Sequence, residues 1–459
     1  MLFYCGGGIS ERDGRGKRVK TNQDNILYRD WRKTYPVIER GEGVYLLDRQ
    51  GKKYIDASGG PFVVNIGHGV TEVIEAMEQQ ARRVCFPYAG NFSSEAQIEL
   101  ADEVIRFAPA GMSRVYFVSG GSEANEVALK IARQYHLDRG EPSRVKIIGR
   151  WQGYHGGTLG ALSMGGHTHY RQDYLPYMLD FPHIHAPYCY RCRFDREYPS
   201  CGILCAHELE RAIIDEGKES IAAFISEPVT GSSLGAMAPP LEYFPIIREI
   251  CDRHGILLIV DEVITGFGRT GKNFGIDHWG VVPDLIVTGK GISSGYTPLG
   301  ATIIHEKIFE VFSKSRRSTF FLGYTYGGNP LSCAAGLAVL RYIKKNGLVE
   351  RADKMGEYLF GKFESLKKIP IVGDIRGKGL LLGIELVQDG KKTPFPRSKK
   401  LAEAIVRKAF ENGLILLPGH GLQDGVVGDL LMIAPPFIVQ QQEIDEIYRI
   451  LEDLVREAA

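Results

Sequence analysis

Much that would point to a specialised class of protein is missing from this sequence. Neither charge sign predominates: Lys and Arg number 56 against 55 Asp and Glu, for a formal charge of +1. That excludes the strong basic bias of a dedicated nucleic-acid binder. No long hydrophobic run exists either, the longest purely aliphatic stretch being Ile256 to Val260, far below the roughly 18 residues of a membrane span. Cysteines are few, eight in 459 residues, so a disulfide scaffold is excluded and a reducing, cytoplasmic compartment is the default. There is no repeat with a period of about 20 to 50 residues, and no low-complexity tract beyond Gly6–Gly8. The first residues lack an apolar h-region and a cleavage site. They read as a solvated tail in which Arg12, Arg15, Lys17, Arg18 and Lys20 alternate with Glu11 and Asp13.

What remains is ordinary globular composition, 44% apolar and 24% charged, over a length that suggests about three domain-sized units or two larger ones. Glycine is the exception, with 55 residues against a usual share of about 7%. Such a surplus signals many tight backbone approaches. The runs 115–118, 145–149, 222–227, 256–262 and 285–290 are short and β-rich, and they alternate with amphipathic stretches such as Ala124, Val127, Ala128, Ile131 and Tyr135. That alternation predicts a parallel sheet covered by helices. Before it, VYLLD and KKYIDA around Arg49-Gln50-Gly51 predict a hairpin. After about residue 340, helices and strands predict a smaller α+β unit, ending in a helix with Ile444, Ile447, Tyr448, Leu451 and Leu454 on one face. The segment 182–205, polar and cysteine-rich, reads as a long surface insertion.

Three strand ends carry candidate chemistry. The run 115–118 leads into Ser119-Gly120-Gly121-Ser122 and directly into a helical stripe; open N–H groups and the positive end of the helix dipole suit a phosphate there. An ordinary helix capped by Ser119 is the competing reading. ILLIV ends in Asp261-Glu262, where a carboxylate at the end of a buried strand calls for a cationic partner. A structural arginine would serve equally well. LIVTG ends in Lys290, placed to act as an amine nucleophile if its pKa is lowered. Taken together, the three match the needs of pyridoxal phosphate (PLP): an anchored phosphate, an acid for the pyridinium nitrogen and a Schiff-base lysine.

The stretches ISEPV, IVDEVITGFGRTG, PDLIVTGKGISSGYTPLGA and GYTYGGNP resemble the class III, or omega, aminotransferases of PLP fold type I, with similarity from about 36 to 437. The resemblance implies an α/β fold with a large PLP-binding domain at 86–336 and a smaller α+β domain formed by both chain ends, 1–85 and 337–459. It implies that Lys290 carries the Schiff base and shuttles the proton, and that Asp261 keeps the pyridine nitrogen protonated. Gly120, Gly121 and Ser122 would hold the phosphate, with Thr325 of the partner subunit in a homodimer with shared active sites. Tyr154 and Val263 would sandwich the cofactor ring, and Phe62 would line the substrate pocket.

The sequence departs from that family where substrate is gripped. Met432 replaces an arginine before the A-P-P motif, Leu417 stands where some members keep a mobile arginine, and Ile264 replaces a glutamine. A primary amine or ω-amino acid donor and pyruvate or a related 2-oxo acid acceptor follow, in a ping-pong cycle, with Arg376 and His420 as candidates for the acceptor carboxylate. An amino acid racemase, epimerase or aminomutase, and a non-catalytic PLP-binding module, stay open as alternatives. Cys189, Cys192, Cys201 and Cys205, spaced C-x2-C-x8-C-x3-C, allow zinc or an iron–sulfur centre. Their central gap is shorter than usual for such sites, and free thiols or a surface disulfide compete. No metal is therefore assigned.

Overall fold

Apolar runs of four to seven residues, each closed by a polar or glycine-bearing turn, are too short for helices and long enough for strands. A computed structural model of the chain describes residues 25–317, 319, 320, 322–423 and 425–459; the basic tail residues Arg12 to Lys20 and Cys5 lie outside them. Strands β1 (Ile38–Glu42), β2 (Tyr45–Asp48) and β3 (Lys53–Asp56) form an antiparallel ribbon. The expected hairpin joins β2 to β3, and Asp48 closes it by accepting from the amides of Gln50 and Lys52 at 3.0 and 2.9 Å. No apolar alternation marks β1, whose sequence is IERGE.

The large sheet is built from β4 (Met112–Val118), β5 (Lys146–Arg150), β6 (His183–Ile184), β7 (Ile221–Ser226), β8 (Leu257–Asp261), β9 (Leu285–Thr288) and β10 (Gly300–His305). Their order is β4-β10-β9-β8-β7-β5-β6. All pairings are parallel except those of β10, which runs antiparallel to both neighbours. Every residue of β7, β8 and β9 is buried, as helices on both faces require. Leu258 and Val260 enter one hydrophobic cluster while Leu257 and Ile259 enter another, so two cores lie on opposite faces of the sheet. The helix Gly121–Asp138 supplies Ala124, Val127, Ala128 and Ile131 to the second.

The last strands are β11 (Val372–Lys378), β12 (Leu381–Leu386), β13 (Leu414–Ile415), β14 (Leu417–His420) and β15 (Asp429–Ile433). Four form an antiparallel sheet in the order β11-β12-β15-β14, while β13 pairs parallel with β3. Segments distant in sequence, 38–56 and 372–433, thus meet in one smaller unit. Its final helix, Gln441–Ala458, buries Ile444, Ile447, Leu451 and Leu454, while Tyr448 stays at the rim and bonds Ser365 at 2.6 Å. The helix Pro330–Lys345 runs unbroken through the domain boundary expected at 336/337.

Segment 182–205 differs from the surface loop read in the sequence. Ile184, Tyr188 and Ile203 are buried, and the segment is tied down by charge. Glu385 of β12, fully buried, accepts from the Tyr188 hydroxyl, from Arg191 at 2.6 Å and from Arg376 at 2.9 Å. Arg191 and Arg376 both rest on this carboxylate, Arg376 sharing it with Asp374 at 2.8 Å, so removing its charge leaves the cluster with excess positive charge. Replacement Glu385→Gln is expected to destabilise the fold by about 3–5 kcal/mol, read as the urea unfolding midpoint, whereas Arg211→Ala, at an exposed ion pair, leaves the midpoint in place. A shift for Glu385→Gln below about 1 kcal/mol would show that the cluster carries no such weight.

Candidate active site

The carboxyl end of β8 places Asp261 at 4% exposure, in the middle of the sheet. Its Oδ2 accepts from His155 Nδ1 at 2.7 Å and from Asn125 Nδ2 at 3.0 Å, and its Oδ1 from the Val263 amide at 3.0 Å. Burial works against a charged His155, but the hydrogen bond to Asp261 and the charges of Glu227 and Asp261 outweigh it and raise its pKa. Glu227 lies just after β7, accepts from the Tyr154 amide at 3.0 Å and pairs with buried Arg150 at 2.9 Å. Asp261, His155, Glu227 and Arg150 therefore alternate in sign around one buried point. The sequence reading missed His155, Asn125, Glu227 and Arg150, although His155 stands in QGYHGG and Glu227 in ISEPV. Glu262, by contrast, turns away and accepts from the amides of Gly275 and Ile276, both at 2.8 Å; burial pushes its pKa up to about 7.

The turn after β4 comes to the same place. The helix Gly121–Asp138 starts at Gly120 with no side-chain cap, and the amide of Ser119 is held by Glu123 at 2.8 Å. Ser119 is therefore not the cap, and the first amides of the helix stay open to a guest. A Cβ on Gly300 would sit 2.6 Å from the Gly120 carbonyl carbon, and one on Gly121 would sit 2.8 Å from Val263 Cγ2. Only glycine lets β10, this turn and Val263 close together. A Cβ on Gly120 would meet nothing within 4 Å, so space is open beside the turn. The Ser122 hydroxyl accepts from the Gly157 amide at 3.1 Å.

Lys290 follows β9 with φ of +44°, a left-handed backbone that a side-chain-bearing residue adopts at a cost. Burial lowers its pKa to about 8, with the charge of Arg269 acting in the same direction and that of Asp261 against it. Its Nζ lies 5.5 Å from the ring centre of Phe62, itself at φ +63° and buried. A Cβ on Gly231 would meet both Ile264 and Phe62, which places those two side by side. Arg269 donates to Asn65 Oδ1 at 2.7 Å and to the carbonyls of Leu380 and Pro435 at 3.0 and 2.6 Å, fastening both chain ends beside the lysine.

The remaining candidates are scattered. Tyr154 is 43% exposed and leans on Tyr170 at 5.1 Å. Thr325 is exposed in the turn 325–328. Leu417 and Met432 face each other across β14 and β15, Met432 fully buried. Arg376 is committed elsewhere: its guanidinium bonds Asp374, Glu385, the Tyr188 hydroxyl and, twice, the Leu234 carbonyl. Cys189, Cys192, Cys201 and Cys205 line one small cavity as free thiols. Burial, reinforced by the neighbouring thiols, pushes Cys205 up to about 12. Among the described residues, no group of three or more His, Cys, Asp or Glu is arranged to hold a metal ion.

Comparison with known proteins decides the family. Residues 27–455 match the family described as aminotransferase class-III. The chain belongs to the class-III aminotransferases. It is 36% identical over 420 residues to a putrescine–pyruvate aminotransferase of Pseudomonas aeruginosa, covering 90% of this chain and 88% of that one. It is 37% identical over 420 residues to a diaminobutyrate–2-oxoglutarate transaminase of Halomonas elongata, with the same coverage. A PLP-bound amine transaminase from an uncultivated Pseudomonas species superposes with a TM-score of 0.90 at 34% identity, over 96% of this chain and all of that one.

As a class-III aminotransferase this protein is a PLP-dependent enzyme of fold type I, and its residues fit the cofactor. The uncapped helix start with open space beside Gly120 suits a phosphate, and Asp261 offers a carboxylate already supported by His155. A half-buried amine stands at Lys290. The pKa of that amine sets a pH signature, because only its neutral form attacks a carbonyl. The rate at which apoprotein captures PLP, trapped by borohydride and read by mass spectrometry, is expected to rise as pH climbs through about 8 and to level off above it. A rate still climbing nearly tenfold from pH 8 to pH 9 would show an ordinary, unperturbed lysine.

Proposed function

We propose that this aminotransferase moves an amino group from a primary amine or ω-amino acid to pyruvate or a related 2-oxo acid, by a ping-pong cycle. The observation that carries the reading is the lack of a free guanidinium at the positions that would select an α-carboxylate. Leu417 and Met432 are apolar, and the Arg376 guanidinium is held within the protein by four hydrogen bonds and an ion pair to Glu385. Without a guanidinium at positions 417 and 432, nothing at those two places demands a carboxylate on the donor or repels a second ammonium group. The two relatives named for putrescine and for diaminobutyrate act on donors with a terminal amine. Pyruvate is favoured over 2-oxoglutarate because the second carboxylate of the latter would need a further buried cation.

PLP, when bound, supplies a carbonyl for the amino group and a ring that withdraws electrons from the substrate Cα. Lys290 holds the cofactor and then, as a free amine, moves the proton at that Cα. Asp261, backed by His155, keeps the pyridine nitrogen protonated. The amides of Gly120 and Gly121, with Ser122, bind the phosphate, and Thr325 of the partner subunit completes its shell in a homodimer. Tyr154 and Val263 cover the two ring faces, and Phe62 shapes the substrate side.

The test is absorbance of the holoenzyme on addition of amines, ω-amino acids and α-amino acids, followed by pyruvate. Loss of the cofactor band with a terminal amine and its return with pyruvate are expected. Bleaching by α-amino acids alone would contradict the donor assignment. Lys290→Ala is expected to lower turnover by about 10²–10⁴-fold through lost proton transfer. Thr325→Ala is expected to release PLP faster on dialysis, and unchanged retention would remove the cross-subunit contact.

A further inference from the structure

A group of imidazoles beside Tyr154 lies outside the proposed cofactor shell and includes His420, which the sequence marks as a candidate for the acceptor carboxylate. His167, 5% exposed, stands at the start of the short helix Thr168–Arg171 and its Nδ1 has no hydrogen-bond partner. Its ring lies 4.8 Å from that of Tyr170, and the exposed His169 lies 5.5 Å from the same ring. His169 meets His420, at the end of β14, edge to face at 4.7 Å, and the buried Nδ1 of His420 is also without a partner. Tyr170 in turn leans on Tyr154. A continuous series of rings therefore runs from Tyr154, the residue before His155, through Tyr170 and His169 to His420 on the strand that begins at Leu417. A Cβ on Gly425 would strike Thr168, so the loop after β14 closes over the same segment.

The electrostatics of this group ask for an anion. Burial, then the neighbouring His420 and His169, push the pKa of His167 down to about 4. His420 is lowered by burial, then by Arg397 and His169, with Glu403 opposing. Buried ring nitrogens without partners are costly, and a carboxylate would supply an acceptor to whichever of these nitrogens carries a proton.

We propose that His169 and His420, backed by His167, receive the carboxylate of the 2-oxo acid acceptor, in place of the arginine that Leu417 and Met432 do not provide. The inference rests on the aminotransferase reading above and names the acceptor subsite of that same site. Neutral imidazoles also account for the breadth of the donor class. They donate hydrogen bonds to a carboxylate when one arrives, yet carry no fixed charge to repel the ammonium of an amine donor.

The test separates the two half-reactions of the holoenzyme by stopped-flow absorbance, in the parent and in the variant carrying His169→Leu and His420→Leu. The amine half-reaction is expected to be unchanged. The apparent Kd for pyruvate in the second half-reaction is expected to rise about 10- to 100-fold, the loss of one or two charge-assisted hydrogen bonds, while propanal, which has no carboxylate, is used equally well by both proteins. Should the double variant fail to fold, His420→Asn alone is expected to weaken pyruvate binding with propanal unaffected. An unchanged pyruvate Kd in a protein that still transfers amino groups would overturn the inference. Equal losses for pyruvate and propanal would do the same, since they would reveal a role in shape. No transfer to any acceptor in the parent would overturn the aminotransferase substrate reading and this inference together.

Discussion

A carboxylate buried in the middle of a sheet must be balanced, and the site follows from how this chain balances Asp261. At the end of β8, with every residue of that strand buried, solvent is not available to share the charge. The chain brings His155 from the loop after β5 and Asn125 from the helix after β4 to the same oxygen. Those two contacts connect three separate strand ends. On the proposed reading, the ring nitrogen of bound PLP would add a further positive partner to this carboxylate. The outer pair, Glu227 with Arg150, repeats the alternation one step further out. Removing any member leaves a neighbour uncompensated, which is costlier than removing a whole pair.

The second constraint is steric and comes from glycine. Close approach of β10 to the turn after β4, and of that turn to Val263, leaves no room for a Cβ at Gly300 or Gly121. The surplus of glycine seen in the composition thus has local causes at the strand ends. Near Lys290 and Phe62 the opposite holds, because residues with large side chains are forced to positive φ. Such backbone is retained where surrounding contacts over-determine it. Here those contacts include Arg269, which binds carbonyls from both chain ends beside the lysine.

The parts of this arrangement that were legible in the sequence are those whose signals are local. Five of the strands, the hairpin at Arg49-Gln50-Gly51 and the final helix are written in period and turn chemistry. Asp261 and Lys290 stand out because each ends an apolar run. His155 and Glu227 left no such trace, since their importance depends on distances across the sheet: 106 positions separate His155 from Asp261. Strand β10 was passed over because GATIIH follows a glycine- and serine-rich stretch and runs against its neighbours, a direction that periodicity does not encode. Arg376 shows the converse failure. As a lone basic residue it was a reasonable carboxylate ligand, and only the fold shows that Glu385, Asp374 and Leu234 already occupy it.

That occupation bears on how the enzyme handles two unlike substrates in one site. An enzyme with a fixed guanidinium binds the acceptor carboxylate firmly, but a diamine must then bring an ammonium group toward a permanent positive charge. Swinging the arginine away is one solution, and it needs a long flexible side chain at the mouth of the site. Leu417 cannot supply one from its own position. Imidazole provides another solution without motion, because its charge is conditional on the guest. With a carboxylate present, a proton on the ring is stabilised; with an amine present, the ring remains neutral and the repulsion does not arise. The cost of that arrangement is weaker grip on the acid, since a single imidazole N–H contributes less than a bidentate guanidinium fork. An aminotransferase built this way exchanges affinity for its acceptor against tolerance of its donors.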